Sequence, residues 1–347
     1  MRMRDHASHH MIWSRRSLLG AGLAAVPLAA WSEPIPPADT VTTGSSGRNL
    51  LTIDVSLDGR GPFSFVVDTG ADRSVIADNV VAGLGLQHTG PVLVEGVVRT
   101  IETRTVPVAR LAAGPVERNG LDMPVLPRAQ LMADGYLGLD VLNGYRVSMD
   151  FRRGELRLME PRSVNFIGNE APNEVPIHLT GNNGHLRATS CLIDGVRATA
   201  FIDTGAEISV GNRCLFQALL HHDTAYNMPQ IIPLTGVTGG VMDGHVTVVR
   251  RIKVGGLDID NSAIAIADLQ IFRLWGLSDT PALLIGMNWL RRFNRVSVDY
   301  GRKELRFDLA SKVLDQHPLQ CSPGAPGRHC PYLIGSPNTI PRPSVAT

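Results

Sequence analysis

The feature that most constrains this chain is a short stretch that occurs in it twice. The first copy, residues 65–76, reads Phe-Val-Val-Asp-Thr-Gly-Ala-Asp-Arg-Ser-Val-Ile, and the second, residues 201–210, reads Phe-Ile-Asp-Thr-Gly-Ala-Glu-Ile-Ser-Val. A run of β-branched and aromatic residues that ends at Gly is typical of a buried strand stopped by a turn. The repeat therefore predicts two equivalent strands with a carboxylate at the end of each, Asp68 in one and Asp203 in the other.

The repeat continues on both sides of this stretch. Before each copy lies a predicted hairpin, whose turn is Asp58-Gly59 in the first half and Asp194-Gly195 in the second, a dipeptide typical of tight β-turns. The matching segments farther on are residues 136–142 with 284–290, residues 147–151 with 296–300, and residues 155–157 with 304–306. In the middle of the first half, residues 91–127 are rich in Val, Arg and Pro, and this composition predicts short strands. Gene duplication is the simplest interpretation of two β-rich halves.

The two Asp-Thr-Gly-Ala sequences resemble the active-site motif of aspartic proteases. The Ala, and the acidic residue after it, resemble the retroviral-type branch more than the pepsin branch. Over residues 49–310, the resemblance implies an all-β, bilobal fold of two related barrel-like lobes with the active site between them. Retroviral enzymes pair their lobes by homodimerising, whereas both halves lie on this chain. We therefore expect a monomer with an intramolecular pseudo-dimer, while lobe pairing between two chains stays open.

The resemblance assigns catalysis to Asp68 and Asp203, one from each half. Two carboxylates held close together share a proton, so one can accept a proton from water while the other donates to the amide carbonyl. An apolar-apolar-Gly element, at Gly138 and Gly286, is expected beside each loop, because glycine lets another backbone approach closely. The residues expected to support the loops are Thr69, Gly70, Ala71, Thr204, Gly205 and Ala206.

A flap is expected to cover the substrate, a peptide or protein. The best candidate is residues 235–240, Thr-Gly-Val-Thr-Gly-Gly, with residues 94–97 as the weaker counterpart in the first half. Both patterns are also typical of ordinary hairpin turns. The residues predicted to contact substrate are Asp72, Glu207, Gly96, Gly236, Gly239 and Gly240.

Other kinds of function have weaker support in the sequence. A peptide-binding module of the same fold, without catalysis, is the main alternative, but such a module needs neither carboxylate. We expect no cofactor and no metal, because His221-His222-Asp223 fits no standard metal spacing and predicts an exposed loop. Ser74 and Ser209 have no companion His for nucleophilic catalysis, and Asp150 and Asp299 are expected in turns or salt bridges.

The N-terminal residues predict export. Ser14-Arg15-Arg16-Ser17-Leu18-Leu19 opens an apolar stretch that ends at Ala30, and this pattern is typical of a twin-arginine signal peptide. The stretch is too short for a typical membrane span, so after cleavage we expect a periplasmic or secreted protein without a stable membrane anchor. An N-terminus that stays tethered to the membrane is the alternative.

Composition and length set the remaining expectations. The 347 residues carry a net charge of +1 without a basic block, so no nucleic-acid partner is expected. Cys321 and Cys330 flank a Pro/Gly-rich loop and are able to pair in an oxidising compartment, whereas Cys191 and Cys214 are read as small buried apolar residues. The predicted organisation is signal peptide 1–30, linker 31–48, first lobe 49–160, interlobe linker 161–174, second lobe 175–310 and tail 311–347.

Overall fold

Strands form most of the chain that the structure describes, which confirms the all-β prediction. The structure, a computed structural model, describes residues 40–42, 50–160, 174–181, 187–223, 226–309 and 332–333. The predicted signal peptide lies outside the described residues, as do nearly all of the interlobe linker and most of the tail with Cys321 and Cys330. None of the helices in the described ranges is both long and apolar enough to cross a bilayer.

The elements follow the same order in the two halves. The strands of the first half are β1 (Thr40–Thr42), β2 (Thr52–Leu57), β3 (Arg60–Val67), β4 (Val75–Ala77), β5 (Pro91–Glu95), β6 (Thr100–Ala113), β7 (Val116–Leu126), β8 (Gly135–Leu137), β9 (Arg146–Asp150) and β10 (Glu155–Met159). Those of the second half are β11 (Glu174–His178), β12 (Arg187–Ile193), β13 (Val196–Ile202), β14 (Val210–Gly211), β15 (Gln230–Thr235), β16 (Val241–Val254), β17 (Leu257–Ile266), β18 (Ala282–Ile285), β19 (Arg295–Asp299), β20 (Glu304–Asp308) and β21 (Tyr332–Leu333). The helices are α1 (Asp78–Leu84), α2 (Arg128–Leu131), α3 (Leu139–Leu142), α4 (Arg213–His222), α5 (Gln270–Leu274) and α6 (Met287–Leu290).

Each half closes a ring of strands. In the first lobe the order is β2-β3-β8-β4-β7-β6, and β6 pairs back with β2 while β5 extends the sheet beyond β6. In the second lobe the order is β12-β13-β18-β14-β17-β16, closed by β12 with β16, and β15 and β21 extend it. Buried apolar side chains fill both rings. β3 and β13, which lead into the two Asp-Thr-Gly loops, are members of these rings. β3 has β8 as its parallel neighbour, and β13 has β18.

A third sheet joins the lobes. Its order is β1-β10-β9-β19-β20-β11, so the central pair brings one strand from each half together. The equivalent residues Ser148 and Ser297 lie opposite each other in this pair, and the Ser297 hydroxyl donates to Ser148 Oγ at 2.9 Å. The pseudo-two-fold axis of the duplicated chain therefore passes between these two serines.

The hairpin turns follow the backbone preferences of their residues. Asp58 and Gly59 have φ of 51° and 76°, and Asp194 and Gly195 have φ of 45° and 88°. Positive φ at both central residues defines the tight turn whose twist matches that of the flanking strands, and Asp-Gly is well suited to it. Each turn positions the return strand that delivers a catalytic candidate, Asp68 or Asp203.

Five expectations differ from the structure. Thr40–Thr42, in the predicted linker, is a strand that covers the outer edge of β10, and Glu174 at the end of the interlobe linker begins β11 on the equivalent edge. Tyr332–Leu333, in the predicted irregular tail, pairs with β15. His221 and His222 are exposed but end helix α4 rather than forming a loop. The strands predicted to be short within residues 91–127 include the 14-residue β6 and the 11-residue β7, because pairing along their whole length outweighs the local effect of proline.

The apolar-apolar-Gly elements lie against the Asp-Thr-Gly loops, as expected. A Cβ at Gly138 would lie 2.6 Å from the carbonyl carbon of Arg73, and one at Gly286 would lie 2.7 Å from that of Ile208. Their φ values of −100° and −99° are open to any residue. The requirement for glycine is therefore steric.

We predict that Gly286→Ala lowers stability by about 1–3 kcal/mol or more, because the added methyl group must displace backbone atoms. Gly83→Ala is the control, since a Cβ at Gly83, in helix α1, meets nothing within 4 Å. It should be neutral or stabilising by up to about 1 kcal/mol. Urea denaturation of the two variants and the parent measures the difference, and equal midpoints would contradict the steric explanation.

Candidate active site

The Asp-Thr-Gly loops meet where the two lobes face each other. Asp68 follows β3 and its N–H donates to Leu137 O at 3.0 Å, while Asp203 follows β13 and its N–H donates to Ile285 O at 2.9 Å. Each carboxylate is thus fixed at the end of a strand that is held by its parallel neighbour. The predicted pair of catalytic residues occupies equivalent positions in the two halves.

The two threonines bind each loop to the opposite half. Thr69 Oγ1 donates to Ile202 O at 2.9 Å, and Thr204 Oγ1 donates to Val67 O at 2.6 Å. In return, Thr69 N–H donates to Thr204 Oγ1 at 3.1 Å, and Thr204 N–H donates to Thr69 Oγ1 at 3.2 Å. All four bonds are buried. Each hydroxyl therefore donates and accepts across the interface, and the two loops cannot shift independently.

The carboxylates themselves are buried and brought together. Asp68 is 0% and Asp203 1% exposed, and each accepts the N–H of the glycine two residues later, Gly70 at 3.0 Å and Gly205 at 2.9 Å. A Cβ at Gly205 would lie 2.6 Å from Asp68 Oδ2. The Asp68 carboxylate therefore packs directly against the loop that carries Asp203, and glycine at position 205 leaves the space for it.

A second set of hydrogen bonds repeats behind each loop. Ser74 Oγ donates to Asp140 Oδ1 at 2.6 Å and accepts the Gly138 N–H at 3.0 Å. In the second half, Ser209 Oγ donates to Asn288 Oδ1 at 2.8 Å and accepts from Gly286 at 3.0 Å. These serines and their partners orient the loops. Ala71 and Ala206, both fully buried, accept through their carbonyls from the first residues of α3 and α6.

The tips of two hairpins, one from each lobe, contact each other. The first tip is residues 96–99, between β5 and β6, and the second tip is residues 236–240, between β15 and β16. Arg99 Nε donates to Thr238 O at 2.8 Å, and Thr238 Oγ1 donates to Arg99 O at 2.7 Å. The structure therefore brings together Gly96, Gly236, Gly239 and Gly240, the four glycines predicted to contact substrate.

Three residues contribute to this site that the sequence motifs did not identify. Gln270, on α5, donates its N–H to Val97 O at 2.7 Å and so binds the first tip to the second lobe. Arg99 joins the two tips, and no repeat in the sequence marks it. Tyr300 follows β19 and is 6% exposed. Its pKa is raised by burial and then by the charge of Asp68, so its hydroxyl lies within electrostatic reach of the two carboxylates. The sequence contained a sign of this difference, because the residue of the first half that corresponds to Tyr300 is Phe151, which has no hydroxyl.

The remaining candidates lie around the site or away from it. The exposed Asp72 and the half-buried Glu207 occupy equivalent positions, and their carbonyls accept from Asp140 N and Asn288 N at 3.1 and 2.9 Å. Asp150 Oδ1 accepts from two N–H groups in its turn and Oδ2 bonds Arg295 at 3.1 Å, as expected of a turn residue. Within the described ranges, no group of three or more His, Cys, Asp or Glu side chains is arranged for a metal ion.

The two cysteines that the structure describes are free. Cys191, on β12, is fully buried, and this burial raises the pKa of its thiol to about 12. Cys214, on α4, is only partly buried. Cys191 therefore acts as an inert apolar residue, as the sequence suggested.

The two halves differ at Asp140 and Asn288, and this difference predicts a pH effect. Burial raises the pKa of the Asp140 carboxyl above its ordinary 3.8, against opposing hydrogen bonds from Ser74. As pH rises from about 4, the Asp140 carboxyl ionises in the unfolded chain before it ionises in the folded protein. The parent should therefore lose stability relative to Asp140→Asn until the pH passes the raised pKa. The expected loss is about 1.4 kcal/mol for each pH unit between the unfolded and the folded pKa. Unfolding free energies measured from pH 4 to 7 test this. Asn288→Asp is the matched variant in the second half and should show an additional loss of stability of the same kind as pH rises. Parallel stability curves for all three proteins would show that Asp140 does not cause the pH effect.

Comparison with known proteins agrees with this geometry. A sequence model of the aspartyl protease family matches the chain twice, at residues 53–141 and 189–289. No curated protein matches the chain. The two matches divide between the two lobes, each contains one Asp-Thr-Gly loop and its glycine partner, and together they span more than half of the sequence. The chain therefore belongs to the aspartyl protease family, with two retropepsin-like lobes on one polypeptide.

Proposed function

We propose that this protein is an aspartic endopeptidase in which Asp68 and Asp203 activate one water molecule between them. The observation that carries the proposal is the packing of the Asp68 carboxylate against Gly205, two residues from Asp203, with equivalent hydrogen bonds in both halves. Two buried carboxylates so close together resist simultaneous ionisation, and so one of them keeps its proton.

The proposed reaction needs only this proton and a water molecule. The ionised carboxylate accepts a proton from water as its oxygen bonds to the carbonyl carbon of the peptide, and the protonated carboxylate donates its proton to the carbonyl oxygen. The tetrahedral intermediate then collapses as the carbon–nitrogen bond breaks. The amine leaves with the proton that came from water, while the gem-diol returns a proton to the other carboxylate. No covalent enzyme intermediate forms, and the dyad returns to its starting state.

The hairpin tips support the flap role predicted for them. The lobes contact each other at the braced loops and at the paired tips, and we propose that the substrate lies between these two contacts. Large apolar side chains are exposed on strands that lead to the tips, Leu93 on β5, Ile231 on β15 and Val241 on β16. Exposed apolar groups near the edge of β5, which no described strand covers, suit an extended peptide with apolar side chains. We therefore propose that the tips close over such a substrate and that Asp72 and Glu207 border it.

Two alternatives are less well supported. A binding module without catalysis has no use for two buried carboxylates, whose burial costs stability. In an obligate dimer, each lobe would pair with a lobe of the other chain. Here β9 of the first lobe pairs with β19 of the second lobe within one chain, which favours a monomer. We therefore propose a monomeric enzyme, exported to the periplasm or beyond by the twin-arginine signal.

Replacing either carboxylate should abolish peptide cleavage without unfolding the protein. We predict that Asp68→Asn and Asp203→Asn each lower kcat/KM by about 10²- to 10⁴-fold or more, because each removes an acid or base that acts with its partner. Cleavage of a diverse peptide mixture by the purified mature protein, followed by mass spectrometry with and without a statine-type inhibitor, measures the effect. Asp54→Asn, on the exposed side of β2, is the control and should retain activity. Near-normal turnover by either dyad variant would exclude the shared mechanism.

Export by the twin-arginine route predicts a second phenotype. Arg15→Lys combined with Arg16→Lys should leave the precursor in the cytoplasm, because the pair of arginines is the recognised element of such signals. Immunoblots of periplasmic and cytoplasmic fractions test this. A single Arg2→Lys change, outside the motif, serves as the control. Normal periplasmic accumulation of the double variant would show that another route exports the protein.

A further inference from the structure

The edge of β15 is paired with a segment from the C-terminal part of the chain. β21 runs parallel to β15, with Tyr332 opposite Leu234 and Leu333 opposite Thr235. The equivalent strand of the first lobe, β5, pairs with β6 alone among the described strands. The two lobes therefore differ at the strand edge that leads directly into each hairpin tip.

Thr235, which lies opposite Leu333 in this pairing, is a buried polar residue at the end of β15. Strand side chains alternate between faces, and Leu234 and Ile232 face the apolar core of the second lobe. Thr235 therefore faces the other way, yet it is only 2% exposed, and its Oγ1 is buried without a hydrogen-bond partner among the described residues. A buried hydroxyl without a partner is costly and uncommon. It has no partner even with Leu333 opposite Thr235, so the pairing of this segment with β15 depends on main-chain hydrogen bonds.

We propose that the segment around Tyr332–Leu333 is an intramolecular strand that occupies the place of a peptide substrate on β15 and so inhibits the enzyme. The proposal rests on the function proposed above. Strand addition to an exposed sheet edge is a common mode of peptide recognition, with main-chain bonds supplying affinity. Because β15 ends at the second tip, a strand on its edge lies where the tip must close over a substrate.

The sequence of this segment suits the role. Residues 331–335 read Pro-Tyr-Leu-Ile-Gly, an uncharged run of residues that favour strands, bounded by Pro and Gly. The tether between Asp308 and Tyr332 is long enough, at up to about 3.3 Å per residue, to reach any part of the lobe. A tether on the same chain holds a ligand at an effective concentration of about a millimolar. Weak intrinsic affinity is therefore sufficient for the tail to remain bound.

Truncation provides the first test. If the local concentration is about ten times the dissociation constant, the tail occupies about nine tenths of the sites, and its removal raises kcat/KM about tenfold. We expect this increase when the chain ends at residue 310. The matched control ends at residue 335, retains Tyr332–Leu333 and should behave as the full chain. Leu333→Pro, which removes a main-chain donor from β21, should reproduce part of the increase. Equal kcat/KM for the two truncations would overturn the proposal.

A second measurement does not depend on catalysis. A synthetic peptide of residues 329–336 is titrated into the Asp68→Asn protein that ends at residue 310, and hydrogen exchange of β15 amides is followed. We expect the truncated protein to exchange faster at β15 than the full chain, and the peptide to restore protection. Unchanged exchange would overturn the tail proposal even if peptide cleavage is found. Restored protection without cleavage by any variant would instead contradict the proposed protease function alone.

Discussion

The reciprocal hydrogen bonds between Thr69 and Thr204 are the interaction on which the rest of this site depends. Each threonine satisfies the main chain of the opposite loop, so four buried polar groups from two lobes are paired only when the lobes are docked. Leaving such groups unpaired costs about 1–3 kcal/mol each. This cost holds the loops in one arrangement, and that arrangement forces Asp68 against Gly205. Two buried carboxylates oppose folding, so the surrounding network must stabilise the site that they form.

The interlobe sheet explains how one chain sustains this docking. β9 and β19 pair along their whole length with equivalent serines opposite each other, and the outer strands β1 and β11 occupy equivalent edges. The loops thus lie near a pseudo-two-fold axis that the main chain itself defines. The main-chain hydrogen bonds of the interlobe sheet therefore fix the relative position of the two lobes.

Fusion of the halves also permits them to differ, which two identical chains cannot do. Asp140 corresponds to Asn288, Phe151 corresponds to Tyr300, and β15 has a neighbour that β5 lacks among the described strands. Burial, and then the charges of Asp68 and Asp203, raise the pKa of Tyr300. These differences give the dyad two unequal environments. Unequal environments are what a mechanism with one acid and one base requires.

The sequence by itself determined the duplication and the all-β class, and it singled out Asp68 and Asp203 as the candidate pair. Each rests on local chemistry that repeats: Asp-Thr-Gly at a strand end, Asp-Gly in a tight turn, and glycine at positions 138 and 286 where a backbone passes. Position within the chain was enough to align these motifs, since both copies follow the same order.

Only the tertiary structure decided what depends on contacts between distant residues. Long pairing carried β6 and β7 through prolines that locally predict interruption, and edge pairing made strands of Thr40–Thr42 and Tyr332–Leu333. The contact of Arg99 with Thr238 joins residues 139 positions apart, and no repeat marks either of them. Local propensity describes one segment at a time, whereas a sheet edge is satisfied by whichever segment the fold brings beside it. For that reason the two Asp-Thr-Gly motifs could be read from the sequence, and the strands that surround them could not.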